Sequence, residues 1–322
     1  MLDNIPLGSQ DEQKDYIRSP IMSHSDSSEQ VAVIAWKEKR LVVCAFAGSG
    51  KSTTIRCFAE ENPTERMLYI AYNRAIWDEA EQKFPFNVNR QTSHQLVWPT
   101  AGKRHCLFNT LRLTDVVRAL NSHNWLLARL TLDVLNRFMC SATIDITPEH
   151  ITDPDDCNGL QSGQILLSAK KIWTIMSARQ GDFPVTHDTY LELYQLSKPN
   201  LSSRYTTLLF DDAQDANPVI SAIVLNQDCL VAMVGDTHQQ IYCFRGADNA
   251  MQAPQLEKAD RFWLTHSFRF GSKVARVVNT LLALKGKTHH ITEKGGADRI
   301  LQTMPRNLNH HAVLHRSVCG VI

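Results

Sequence analysis

From Leu41 onward the chain alternates short apolar runs with longer stretches whose apolar residues recur at helical spacing. LVVCAFA (41–47), MLYIAY (67–72), TLLFDD (207–212) and LVAMVGD (230–236) are continuous apolar runs that end in small, polar or acidic residues. Runs of this kind read as strands buried on both faces, as in a parallel sheet. Strands alternating with helices predict a doubly wound α/β fold, in which ligands gather at the carboxyl ends of the strands. The acidic residues fall at those ends.

The texture changes between about Thr100 and Ser197. LTDVVRALNSHNWLLARLTLDVLNRFM and GQILLSAKKIWTIMSARQ carry apolar residues at helical spacing, separated by the turn-rich ITPEHITDPDDCNG. This pattern predicts a helical insertion at 101–197 within an α/β domain formed by 29–100 and 198–255. Residues 1–28, rich in Ser, Asp and Gln, predict a flexible leader. Residues 256–322 read as the start of a second α/β unit, with a helix from about Ser272 to Leu284 and a last strand-like run, HAVLHRS.

Composition narrows the class more than the partner. With 322 residues, 43% apolar and 21% charged, the chain is of ordinary globular make-up and long enough for about two domains. A net charge of +1 neither demands nor excludes a polyanion, because a neutral protein can carry a locally basic groove. Eight scattered cysteines without a CxxC pair fit reduced thiols, and the acidic start MLDNIPLGSQDEQKD has no apolar core of a signal peptide. No apolar run approaches the roughly 20 residues of a membrane span. The expectation is a cytoplasmic protein, nuclear if the source is eukaryotic, with no membrane partner.

Two motifs carry candidate chemistry. LVVCAFAGSGKSTT reads as a strand, a small-residue loop and a helix opening at about Lys51. Glycines at 48 and 50 let successive backbone amides of Ala47, Gly48, Ser49 and Gly50 turn toward phosphates, and the helix N-terminus adds its positive dipole end. Lys51 is expected on the β/γ-phosphates of ATP, Ser52 on Mg²⁺, and Thr53 beside them. The strict pattern has Gly where this chain has Ala45. The second motif is LLFDDAQDA, where two carboxylates adjoin at a strand end. Like charges repel there unless a divalent ion lies beside them. Asp211 fits a metal ligand and Asp212 a general base toward the attacking water.

Together AFAGSGKST, DDAQD and VGDTHQQIYCFRGA resemble the first, second and third motifs of the UvrD-like, superfamily one DNA helicases. LTHSFRFG and THDTYLELYQLSKPNLS resemble the F-box DNA helicase branch of that family, and the likeness runs over roughly residues 28 to 322. It implies a RecA-like P-loop sheet with a helical insertion and the start of a second RecA-like domain. It also implies an ATP-dependent motor on single-stranded DNA, of 3′ to 5′ polarity, working in repair or recombination.

Carried over position by position, the resemblance makes Gln30 the adenine-reading glutamine. Gln239 becomes the γ-phosphate sensor, Gln214 the link between the second and third motifs, and Arg269 the arginine reaching the γ-phosphate from the second domain. It places Tyr72, Asn73 and Arg74, then Thr92 and His94, then Tyr242, Phe244 and Arg245, against single-stranded DNA. Aromatic stacking of about 1 to 3 kcal/mol per base tolerates any sequence, as a translocating motor requires.

Two departures bear on activity. The family has Glu where this chain has Asp212, one methylene shorter, and a shift of about 1 Å in a catalytic group can cost on the order of 100-fold in rate. Later motifs of the form TxHxxKG and VALTRA do not occur; THHITEKG (288–295) imitates the first but is one residue too long and precedes the strand it should follow. The expectation is the N-terminal part of a helicase whose missing motifs a separate chain could supply. The alternative is a truncated or degenerate ATP- and DNA-binding protein without unwinding activity.

Overall fold

The computed structural model describes residues 27–71, 73–104, 110–152, 160–178, 183–241 and 246–301. It divides into two compact units, 1–265 and 266–322. The first is built on a six-stranded parallel sheet of β1 (Arg40–Ala45), β2 (Met67–Ala71), β3 (Val88–Thr92), β4 (Thr207–Phe210), β5 (Leu230–Gly235) and β6 (Asp260–Leu264). Their order is β3-β2-β4-β5-β1-β6. The sheet thus extends beyond the four apolar runs by one strand at each edge. Because β6 pairs with β1, the first unit runs to Thr265 rather than to 255.

Side chains alternate across a strand, and the two faces feed two separate cores. Val42, Leu68, Ile70, Leu208, Phe210, Val231 and Met233 pack in one cluster. Leu41, Val43, Ala45, Met67, Tyr69, Leu209, Ala232 and Val234 pack in the other, with α2 (Lys51–Glu60) supplying Ile55 and Phe58. Burial on both faces is why the central strands read as unbroken apolar runs.

Several helices begin where small polar residues accept the first free amides. Ser27 and Gln30 form a capping box on α1 (Ser28–Ile34), and Thr92 and Gln95 do so on α4 (Ser93–Val97). Asn73 caps α3 (Arg74–Lys83). Within the insertion, α5 (Leu113–Leu120), α6 (Trp125–Met139) and α7 (Ser162–Ser177) bury Val116, Leu135, Phe138, Ile165 and Ile172 in a third cluster. Helix α8 (His187–Leu196) instead places Tyr190, Leu191 and Tyr194 in the sheet-side core, beside α9 (Pro218–Leu225). It fastens the insertion to the sheet.

The second unit contains β7 (His266–Ser267), α10 (Ser272–Leu284) and β8 (Thr292–Glu293), with β7 and β8 parallel. Asp298 accepts from the backbone amides of Lys273 and Val274 at the start of α10. The run HAVLHRS lies outside the described residues.

Candidate nucleotide site and adjoining cleft

Because the strands are parallel, the segments following β1, β2, β3, β4 and β5 leave the sheet at one edge. At that edge Gly48 and Gly50 have φ of 72° and 80°, in the left-handed region open to glycine, and Gly50 is the N-cap of α2. The loop therefore turns into α2 with its first amides free of intrahelical partners, a geometry suited to an anion. Ser49 is buried, and its hydroxyl has no hydrogen-bond partner among the described residues.

Asp211 follows β4 and is 3% exposed. Its Oδ2 accepts from Tyr69 Oη at 2.8 Å and from Ser52 Oγ at 3.4 Å, while Oδ1 accepts from the Asp212 amide at 2.9 Å. Burial, then the neighbouring Asp212 carboxylate, push the Asp211 carboxyl up to about 6, against the Tyr69 hydrogen bond and the Lys51 charge. Asp212 sits in the left-handed region at φ 49°, a conformation costing on the order of 1 kcal/mol for a non-glycine residue. Its Oδ1 lies 3.4 Å from Lys51 Nζ and 3.3 Å from Gln214 Nε2.

Gln214 extends the chain of contacts. Its Oε1 accepts from the Asp236 amide at 3.0 Å, and its Nε2 also lies 3.4 Å from Asp215 Oδ2. That approach requires Gly235, where a Cβ would stand 2.3 Å from Gln214 Oε1. Asp236 in turn accepts from Gln239 Nε2 at 2.6 Å and from the His238 amide at 2.9 Å. Asp215 Oδ1 accepts from the Ile241 amide at 2.9 Å. An ion pair followed by hydrogen bonds thus joins Lys51 to Gln239 and to the backbone of Ile241.

The residue set suits a magnesium ion. Mg²⁺ keeps most of its waters and takes one or two protein oxygens alongside the phosphates of its nucleotide. Ser52 Oγ and the Asp211 carboxylate stand side by side as such donors, and Lys51 lies beside Asp212 to offset charge. Among the described residues no group of three His, Cys, Asp or Glu side chains is placed to hold a metal without a ligand's help.

Gln30 lies where α1 meets α2. It is 4% exposed, with Oε1 accepting from the Ser27 amide at 2.9 Å and Nε2 donating to Thr54 Oγ1 at 3.2 Å. In this arrangement it ties α1 to α2, and both ends of its amide are engaged. Thr53 is exposed on the first turn of α2 and Ala47 half-buried in the loop. Arg269 belongs to the second unit, where it is exposed and its amide donates to Ser267 Oγ at 3.4 Å.

The same sheet edge opens into a cleft of about 1150 Å³ between β2, α4, α6, α8 and the segment after β4. Asn73, His94, Arg137, Ser141, Asp215 and Asn217 are on its walls. Asn73 accepts from the Ile76 amide at 3.0 Å, and Thr92 accepts from the Gln95 amide at 3.2 Å, so each shapes the turn leaving its strand. His94 packs against His187, ring centroids 4.9 Å apart. Arg74 lies over Trp77, 3.9 Å from the ring centroid, and its Nε is 2.9 Å from Asp78 Oδ1. Tyr72, Tyr242, Phe244 and Arg245 lie outside the described residues.

Three residues of this edge carry no expected role: Tyr69, Asp236 and, on the insertion, Arg137. Asp236 had a signal, an acidic residue ending an apolar run. Tyr69 was hidden as one more large side chain in a buried strand, and nothing in the sequence aligns Arg137 on α6 with a cleft closed by distant segments.

Residues 170–257, which hold β4, β5 and the chain of contacts from Asp211 to Gln239, match the family model described as UvrD/REP helicase N-terminal domain. F-box DNA helicase 1 of Gallus gallus is 32% identical over 309 residues, 88% of this chain and 30% of that protein. F-box DNA helicase protein 1 of Schizosaccharomyces pombe is 34% identical over 273 residues, 77% of this chain and 31% of that protein. The chain spans under a third of the length of these curated relatives. With its parallel α/β sheet and glycine-turned loop, this chain is similar to the UvrD-like helicases.

Proposed function

We propose that this chain is the ATP-binding part of a DNA helicase, which couples Mg-ATP hydrolysis to 3′ to 5′ movement on single-stranded DNA. The observation carrying the reading is the path of an ion pair and hydrogen bonds from Lys51 through Asp212, Gln214 and Asp236 to Gln239, with Asp215 branching to the cleft wall. In this reading the amides of residues 47–50 and Lys51 hold phosphates, and Ser52 and Asp211 hold Mg²⁺. Bound there, the ion would neutralise charge building on the phosphates. Asp212 is the base that accepts the proton of the attacking water. Gln239 senses the γ-phosphate, Arg269 reaches it from the second RecA-like domain, and Gln30 borders the adenine.

The cleft is the proposed DNA site. Asn73 and His94 are on its walls, and Arg137 adds a cation from α6; Arg74, Thr92, Tyr72, Tyr242, Phe244 and Arg245 are proposed as further polar and stacking contacts to a single strand. Loss of the γ-phosphate changes what Lys51 and Asp212 must balance. Gln214 then carries the change to Asp215 at the cleft and to the backbone of Ile241. The domain division follows the same logic: a first RecA-like domain interrupted by a helical insertion, then the start of a second. A separate chain supplying the later motifs, a role in repair or recombination and a nuclear or cytoplasmic location belong to the same reading.

One observation favours the alternative of a nucleotide- and DNA-binding protein that does not unwind. Asp212 is short, and its Oδ1 is already drawn to Lys51 and Gln214. The separating experiment is ATP hydrolysis with and without single-stranded DNA for the wild type, Lys51→Ala and Asp212→Glu. The motor reading expects DNA stimulation that Lys51→Ala abolishes. No stimulation, and no gain from Asp212→Glu, supports the alternative.

A further inference from the structure

We infer that Tyr69 is a positioning residue that holds the Asp211 carboxylate in the orientation needed to bind Mg²⁺, an inference resting on the Mg-nucleotide reading of this site. Tyr69 lies in the middle of β2, opposite Leu209 of β4. Residue 211 shares the parity of 209, so its side chain leaves on the same face of the sheet. A phenol is long enough to cross the two-residue offset, and its oxygen arrives 2.8 Å from Asp211 Oδ2.

The ring and the hydroxyl have separable tasks. Tyr69 is 1% exposed, its ring rests against Phe84 with centroids 4.6 Å apart, and it packs among the apolar residues beneath α2. Phenylalanine would satisfy that packing. What tyrosine adds is a donor, and that donor reaches the carboxylate that Ser52 touches only at 3.4 Å. Asp211 is itself 3% exposed, so its oxygens depend on protein donors to fix them.

With Oδ1 held by the Asp212 amide and Oδ2 by Tyr69, the carboxyl plane is clamped from both sides. Magnesium demands near-octahedral geometry at short distances, so a carboxylate free to rotate binds it less well. Groups that orient a metal-binding carboxylate typically change metal affinity by about 10-fold to 100-fold when removed.

The test is a Mg²⁺ titration of the binding of a fluorescent, non-hydrolysable ATP analogue to the full chain, with thermal unfolding measured in parallel. Tyr69→Phe is expected to raise the Mg²⁺ concentration for half-maximal binding about tenfold. Phe84→Leu, which disturbs the same packing without touching the hydroxyl, is expected to lower the melting temperature and leave the Mg²⁺ dependence unchanged. A Tyr69→Phe curve that superimposes on that of the wild type overturns the inference alone. Failure of Tyr69→Phe to fold also overturns it, since the hydroxyl would then serve the fold. If the wild type shows no Mg²⁺-dependent binding, the nucleotide reading fails and takes the inference with it.

Discussion

Two buried carboxylates in the first unit receive opposite treatment. Asp211, at the edge of the sheet, has Tyr69, Ser52 and the Asp212 amide as donors. Glu192, on the helix that joins the insertion to the sheet, is fully buried, and neither carboxylate oxygen has a hydrogen-bond partner among the described residues. Burial pushes its carboxyl up to about 8, whereas the Asp211 carboxyl rises only to about 6 despite a second carboxylate beside it. Donors hold the Asp211 carboxyl down against burial, whereas the Glu192 carboxyl, with no donor among the described residues, is raised further. Burial alone therefore does not mark a site; the supply of donors does.

The comparison can be broken from either side. The largest expected effect is at the nucleotide edge, where Lys51→Ala removes the cation facing Asp212 and should lower ATP hydrolysis by at least about 100-fold, measured by phosphate release. Next is Glu192→Met, which replaces an unpartnered buried acid by an apolar chain of similar length. The folded-state value of about 8 lies above the ordinary 4.5, so between those values the unfolded chain holds fewer protons and wild-type stability falls as pH rises. Chemical denaturation should show the stability of the variant relative to the wild type rising from pH 5 to pH 8 by about 2 kcal/mol or more. An equal gain at both pH values would mean that Glu192 does not titrate in this window.

Smaller effects probe the finer claims. Asp212→Glu restores the missing methylene and should raise turnover roughly tenfold, read as kcat with ATP affinity little changed. Arg137→Ala should weaken single-stranded DNA binding about fivefold by loss of one phosphate or base contact, and should flatten its salt dependence. An unchanged salt slope would remove Arg137 from the DNA path.

The central strands were legible because burial on both faces leaves apolar runs with no polar interruption, as in β1, β4 and β5. The edge strands β3, VNRQT, and β6, DRFWL, were not, because each has one open side and carries polar residues like those of a loop. The loop at 47–53 and the Asp211–Asp212 pair were legible because each is a local cluster whose chemistry follows from spacing. Tyr69 and Glu192 were not, because a buried tyrosine that donates to a carboxylate and a buried glutamate that meets no donor differ only in what lies across the fold. The contacts of Gln30 to Ser27 and Thr54 likewise depend on the packing of α1 against α2.

An ion pair and hydrogen bonds link Lys51 to the cleft wall at Asp215 through Asp212 and Gln214. The most direct test of this link is the affinity for the fluorescent ATP analogue, in Mg²⁺, with and without single-stranded DNA. Wild-type affinity should change by about fivefold or more when DNA is present, and Gln214→Ala should retain binding of both ligands but lose that dependence. Equal nucleotide affinity with and without DNA, or a Gln214→Ala variant as strongly coupled as the wild type, would contradict the account.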